Sequence, residues 1–599
     1  MNRDNSSASG YGWDEIRVGM AAVMVIVRLG CFNCWGLSKK EKGRISDLSS
    51  PEPEPFSLPL SLPKWPEGQG FASGKICLGE IEVLQITKFE SVWSCILLND
   101  HKKGATFYKP IGIPDGFFSL GYYCQPNDQP LQGFVLAARE VAAPDAEASH
   151  FCHTTESPAL TKPVDYTLVW STDDWNGDIH DACGYFWLPQ TPKGYKAMGY
   201  VVTTKPGKPS LEEVRCVRAD LTETCEANCL ILEVNSFSIK FPFWVWKIRP
   251  CHRGMWGKGV SVGTFFCCGF GDELNLACLK NVNLNLYAMP NLEQVHALIK
   301  HYGPTVFFYP DEIYLPSSVS WFFKNGALLY RKGELYGEAI DANGSNLPNG
   351  GTNDGEYWID LPNDDRKSTV KHGNIESAEL YVHVKPALGG TFTDIAMWVF
   401  CPFNGPSTID VGVLNYACSR IGQHVGDWEH FTLRLSNFTG ELWSIYFSQH
   451  SGGEWVDAWN LEFIEGNKAI VYSSKHGHAS YPHPGNYVLG SEKLRIGAMD
   501  DVARSNFYVD SSVKYQIVAA EYLGDGIVTE PCWLQYMREW GPTIVYNFRL
   551  ELDKIISILP VLTSFTVENI LDLFPMELYG EEGPTGPKEK DNWEGDEIG

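Results

Sequence analysis

Seven residues of the stretch QHVGDWEHFTLRLS, His424 to His430, carry four ionisable side chains: His424, Asp427, Glu429 and His430. The right half of the stretch alternates apolar and polar residues as a half-buried β-strand does. Side chains alternate along a strand, so Asp427 and Glu429 share a face with Phe431 and Leu433, while Trp428, His430, Thr432 and Arg434 take the other. Two carboxylates about 7 Å apart on one face repel each other, so a positive charge is expected between them. His424 lies across Val425-Gly426, where glycine lets the chain bend and bring the imidazole to the carboxylate side. His424, Asp427 and Glu429 together could hold a divalent cation. Their hard oxygens suit magnesium or calcium, and the imidazole admits manganese or zinc. The same residues read equally well as strand-edge charges paired with Lys or Arg.

The surroundings favour a site. Eight of the fifteen histidines lie between His372 and His483. His476 and His478 follow the strand-like run AIVYSS in the loop KHGHASYPHPG, and His450 ends a strand just before Gly452-Gly453. Histidines at strand ends beside glycine loops stand where binding sites are usually built.

Composition narrows the function classes. A net charge of −25 repels phosphate backbones and excludes nucleic acid as a natural partner. It also disfavours bare anionic lipid unless a cation bridges the two. The 17 cysteines lack regular spacing, as expected of reduced, largely buried thiols in a cytoplasmic protein. The apolar run Val18–Val27 is too short to span a bilayer, and Cys31 and Cys34 beside it are candidates for acylation.

The elements that must position these residues read as mainly β with a few peripheral helices. Residues 1–55 are an extension and proline-rich lead-in. Residues 56–250 hold a repeated β unit, seen in FYKPIGIPDGFFSLGYY from Phe107 and FWLPQTPKGYKAMGYVV from Phe186. In both, a Pro-x-Gly turn joins two strands. Residues 251–300 form a connecting segment with a helix over NLEQVHALIKHY that Gly303-Pro304 stops. Residues 301–548 are a β-sandwich carrying the cation site, 549–578 are C-terminal helices, and 579–599 lack any hydrophobic period and are expected to be an acidic disordered tail. The acidic run GTNDGEYWIDLPNDDR lacks the ligand spacing of a calcium loop and is expected to be a solvated turn.

The stretches CPFNGPSTIDVG, HVGDWEHFTLRLSNFTGELWSIYFSQHSGGEW and YGEEGPTGPKEKDNWEGDE closely resemble the plant branch of the vacuolar protein sorting-associated protein 62 family, from Cys31 to the end of the chain. The repeated unit is similar to β repeats in the adaptor-binding region of large lipid-transfer proteins of vacuolar sorting. WVFCPFNGPS, HVGDWEHFTLRL and SSKHGHASY resemble the core of the necrosis- and ethylene-inducing-like cytolysins. That resemblance implies His424, Asp427 and Glu429 as cation ligands and His476 as the histidine of a His-Gly loop. Asn404 falls where those proteins have a metal-binding aspartate, which implies weaker cation binding or a shift to another ligand such as Asp410.

The resulting expectation is a divalent-cation-dependent module that binds a lipid head group or glycan, peripheral on endomembrane or plasma membrane. Asn404, His450, His476 and His478 are its candidate ligand-binding residues. The alternatives are a trafficking scaffold that holds sorting proteins through its N-terminal repeats, and a metal-dependent hydrolase. Against catalysis, the chain has no Gly-x-Ser-x-Gly elbow, no phosphate-cradling glycine loop and no His-Glu-x-x-His helix.

Overall fold

The structure, a computed structural model, describes residues 54–96, 104–141, 157–172, 183–234, 242–269, 273–283, 286–411, 415–418, 420–450, 452–491, 496–521, 528–544 and 583–597. The expected C-terminal helices, the apolar run Val18–Val27, and Cys31 and Cys34 lie outside the described residues. Among the described residues no helix is long and apolar enough to cross a membrane. Seven of the fourteen described cysteines are buried.

The N-terminal part is a repeat of three units, not two. Each unit pairs three antiparallel strands: Phe89–Ile96, Gly104–Pro110 and Tyr123–Pro126; then Asp165–Ser171, Tyr185–Gln190 and Val201–Thr203; then Cys225–Val234, Phe243–Pro250 and Phe265–Cys268. Their aromatic residues share one core, in which Phe107 meets Phe186 at 4.8 Å and Phe265 at 5.1 Å, and Phe186 meets Phe243 at 4.9 Å. A Cβ on Gly121 would stand 2.8 Å from the Cα of Gly199 and from Thr264, so only glycine allows the units to meet there. The third unit escapes notice in the sequence because Pro250 and Gly263 are separated by a longer turn, CHRGMWGKG. It extends the repeat region past residue 250 to Cys278–Lys280, so the first part of the expected connecting segment belongs to the repeats.

The second part is built on a six-stranded sheet in the order Gly452–Asp457, Leu442–Gln449, His424–Ser436, Phe392–Asn404, Leu380–Ala387 and Tyr515–Ala520. Val382, Ile395, Met397, Phe431, Leu433 and Ile445 point from it into a core shared with Val306, Ala469, Val471 and Val509 of a facing sheet. Helix Leu292–Tyr302 begins at a capping box on Asn291 and drives Val295, Leu298, Ile299 and Tyr302 into the same core. It therefore belongs to this part and is no linker. A further cluster joins the two parts, with Leu136, Val260 and Leu279 of the repeats against Ala387, Phe392 and Phe438 of the sheet.

The expected disordered tail is ordered over residues 583–597. Trp593 stacks on His383 with centroids 4.0 Å apart, and Trp540 N–H donates to the Pro584 carbonyl at 2.7 Å. Composition misjudged it because it packs through single matched groups, not a periodic apolar face.

Candidate functional site

Strands His424–Ser436 and Leu442–Gln449 are paired from Phe431↔Phe447 to Leu435↔Leu442. On the His424 side of Phe431 they part. The gap between them opens into a cavity of about 430 Å³, whose lining includes Asn404, His424, Asp427, Glu429, Tyr446, Ser448, His450, Lys475, Asp500 and, from the tail, Lys590. On its other edge the strand stays paired with Phe392–Asn404 as far as Asn404↔His424, so this wall is fixed. Gly426 has φ +75° and no room for a Cβ beside Trp540. This bend brings His424 Nε2 to 3.8 Å from Asp427 Oδ1, beyond hydrogen-bond reach.

Asp427 is held from behind. His478 donates from Nδ1 to Asp427 Oδ2 at 2.7 Å and from Nε2 to the Tyr314 carbonyl at 2.8 Å. Both ring nitrogens face acceptors, so this buried ring is an imidazolium. Burial works against the charge, but Cys401 and Asp427 hold the His478 pKa well above the ordinary histidine value. Asp427 in turn stays below the usual carboxylate range: burial opposes ionisation, and the hydrogen bond and charge of His478 override it. The positive charge expected beside the carboxylates is thus partly supplied by the protein, and Oδ1 of Asp427 is left toward the cavity. Cys401, Asp427 and His478 also form a compact buried cluster of donor atoms, but the two bonds of His478 leave it no lone pair for a metal.

Glu429 is the opposite case. Among the described residues no ion pair includes it. Burial, and then the neighbouring charge of Asp427, push it up to about 8, so it carries its proton at neutral pH. Burial holds His424 below the ordinary histidine value, leaving a neutral ring. Across the cavity, His450 Nε2 lies 2.8 Å from Asp500 Oδ2, which also accepts from Tyr481 at 2.7 Å.

Five of the seven sequence candidates meet in this cavity: His424, Asp427, Glu429, Asn404 and His450. The other two do not line it. His478 lies behind Asp427, and His476 turns its Nδ1 to the Pro406 carbonyl at 3.2 Å and its ring edge to Tyr314. The loop backbone explains this, since His476 and His478 adopt φ +68° and +57°. Such left-handed residues cost on the order of 1 kcal/mol each and set where the side chains of this loop point. His450 shares the strain at φ +52°.

Asn404 donates from Nδ2 to the carbonyls of Gly405 and Gly422. An aspartate there would press a negative oxygen against two carbonyls, so asparagine fits this backbone. Asp410, named as a substitute ligand, is fully buried and does not line the cavity. Additional charged groups in the lining include the carboxylate of Asp500 and the ammonium of Lys590. Neither was singled out from the sequence, because each arrives from a distant element; the one signal for Asp500 was a pair of acids inside the run GAMDDV.

His424, Asp427 and Glu429 bring two carboxyls and an imidazole to one cavity lining, but among the described residues the group whose ligand atoms all lie within 4.8 Å of one another is Cys401, Asp427 and His478.

Comparison with solved structures finds a protein from Chromobacterium piscinae, GNIP1Aa, at 14% identity and a TM-score of 0.26, over 37% of this chain and 40% of that one. It also finds NLPPya in complex with glucosamine, at 13% identity and a TM-score of 0.19, over 31% of this chain and 65% of that one. Among curated proteins, vacuolar protein sorting-associated protein 62 of Saccharomyces cerevisiae is 24% identical over 286 residues, 40% of this chain. The chain spans 58% of the length of that relative. The profile of the vacuolar protein sorting-associated protein 62 family matches residues 52–597, nearly the whole chain, and the chain belongs to that family.

Proposed function

We propose that this vacuolar-sorting-related protein is a binding module that takes a divalent cation, magnesium or calcium before manganese, at His424, Asp427 and Glu429. The cation and the cavity around it would hold the hydroxyls or phosphate of a glycan or lipid head group at a membrane. The observation that carries this reading is the pairing of an ionised and a protonated carboxyl on one cavity wall beside a neutral imidazole. Burial and the charge of Asp427 keep the Glu429 carboxyl neutral against the pull of His450 and Lys590, and a divalent ion would supply the further positive charge that ionises it. The bound ion would also give a chain of net charge −25 a means of attaching to an anionic partner. The aromatic rings of Trp398 and Tyr446 in the same lining suit the apolar face of a sugar.

Calorimetric titration of calcium, magnesium and manganese into chelator-treated protein tests the first step. Saturable binding that Asp427→Ala abolishes and Glu429→Gln weakens supports it; no heat and no rise in melting temperature with any of the three rejects it. A head-group and glycan array, run with cation and with chelator, tests the second. Signals indifferent to chelator would separate ligand binding from the cation.

A further inference from the structure

Segment Asn592–Glu597 lies across the six-stranded sheet and is held as a ligand is held. Trp593 fills a slot on His383, which is 1% exposed and has no hydrogen-bond partner at either ring nitrogen. Lys385, also 1% exposed, donates to the backbone carbonyls of Asn592 and Gly595, the latter at 2.9 Å. Asp596 lies between Arg434, at 2.9 Å, and Arg253, at 2.8 Å. Glu597 takes one bond from Thr432 at 2.6 Å and one from His430 at 3.0 Å. The receptor groups stand on strands Leu380–Ala387 and His424–Ser436, and on the loop after Phe243–Pro250. Strand Phe392–Asn404 pairs with both of those strands, so the platform is built without the tail.

We propose that this platform is a peptide-recognition groove for a segment of the form Trp-x-x-Asp-Glu, occupied here by the chain's own tail, and that a partner protein carrying an acidic, tryptophan-containing segment competes for it. Three features point to exchange. First, the backbone is read by one lysine, and register is read by an aromatic slot followed by two acid pockets; this division between main-chain affinity and side-chain specificity is how peptide grooves work. Second, charge is complementary: in a chain of net charge −25 the groove gathers Lys385, Arg434 and Arg253, and arginine pairs are the usual readers of acidic motifs. Third, an intramolecular occupant acts as a competitor at high effective concentration, so a partner gains access only when its own local concentration is high or the tail is displaced. The inference does not depend on cation binding.

Hydrogen exchange on the unaltered full chain is the first test. Amides of residues 592–597 should exchange by local opening, at least tenfold faster than those of Met397 and Leu433. Exchange of both sets at one common rate would make the segment a fixed part of the fold and overturn the proposal. The second test is fluorescence anisotropy with a labelled peptide of residues 590–597. The full chain carrying Trp593→Ala should bind it at least tenfold more tightly than the unaltered chain. Replacing the peptide's tryptophan by alanine should abolish binding. A folded Trp593→Ala chain that ignores the peptide overturns the proposal. If that chain does not fold, hydrogen exchange decides.

Discussion

Two glutamates border one cavity and one strand, and they sit at opposite ends of the carboxyl range. Glu429, on strand His424–Ser436, is pushed up to about 8 by burial and by Asp427. Glu597, on the tail, meets the same burial penalty, but His430, then Lys385 and Thr432, pull it down to about 2. Burial is common to both, so the local partners decide. Where the fold has supplied every partner, as around Glu597, the charge serves structure. Where it has left one out, as at Glu429, the position is prepared for something that arrives later.

The largest expected effect tests the structural half of this contrast. Arg434 bridges Asp394, at 2.7 Å, and Asp596, at 2.9 Å. Asp394 is 1% exposed. Arg434→Ala strands that carboxylate in the core and should cost on the order of 3–5 kcal/mol in urea-unfolding free energy. A loss below about 1 kcal/mol would show that the tail-side charges are not integral to the fold.

One kind of substitution should then act with opposite sign at the two glutamates. The depressed value of Glu597 gives stability that is present above the ordinary carboxylate range and is lost as pH falls from about 4.5 toward 2. Glu597→Gln should lower stability at neutral pH by on the order of 3 kcal/mol and flatten that acid limb. The raised value of Glu429 gives stability that is fully present below about 4.5 and is lost as pH climbs through 8. In chelator, Glu429→Gln should therefore stabilise the protein at pH 7, by on the order of 1–3 kcal/mol, and remove the alkaline decline. Denaturant curves of the two variants at several pH values read both signs. If Glu429→Gln destabilises, the contrast between the two sites is gone.

The contrast also explains what the sequence could reveal. The Glu429 side was legible because His424, Asp427 and Glu429 fall within six residues on a strand whose alternation is clear, with a glycine marking the bend. A local pattern encodes a local wall. The mainly β class and the first two repeats were legible for the same reason, since strand alternation and Pro-x-Gly turns are short-range signals. The Glu597 side was not legible. Its contacts with His430, Thr432 and Lys385 span more than 160 positions, and one tryptophan among acids and glycines reads as solvated chain. Asp500 and Lys590 were missed on the same ground. His476 and His478 were visible as residue types on a loop, but backbone handedness at those two positions decides where they point.

The smallest expected effect is the most diagnostic of the site. A cation bound at Glu429 must displace the proton that burial and Asp427 keep there. Below pH 8 each unit of acidification should weaken apparent affinity about tenfold, and above pH 8 affinity should level off. Titration in buffers of different ionisation enthalpy should report close to one proton released per cation at pH 7 and almost none at pH 9. Glu429→Gln removes the proton and with it the pH dependence, whatever residual affinity His424 and Asp427 retain. Affinity that is flat from pH 6 to 9 in the unaltered protein would place any bound cation away from Glu429, even if binding itself were tight.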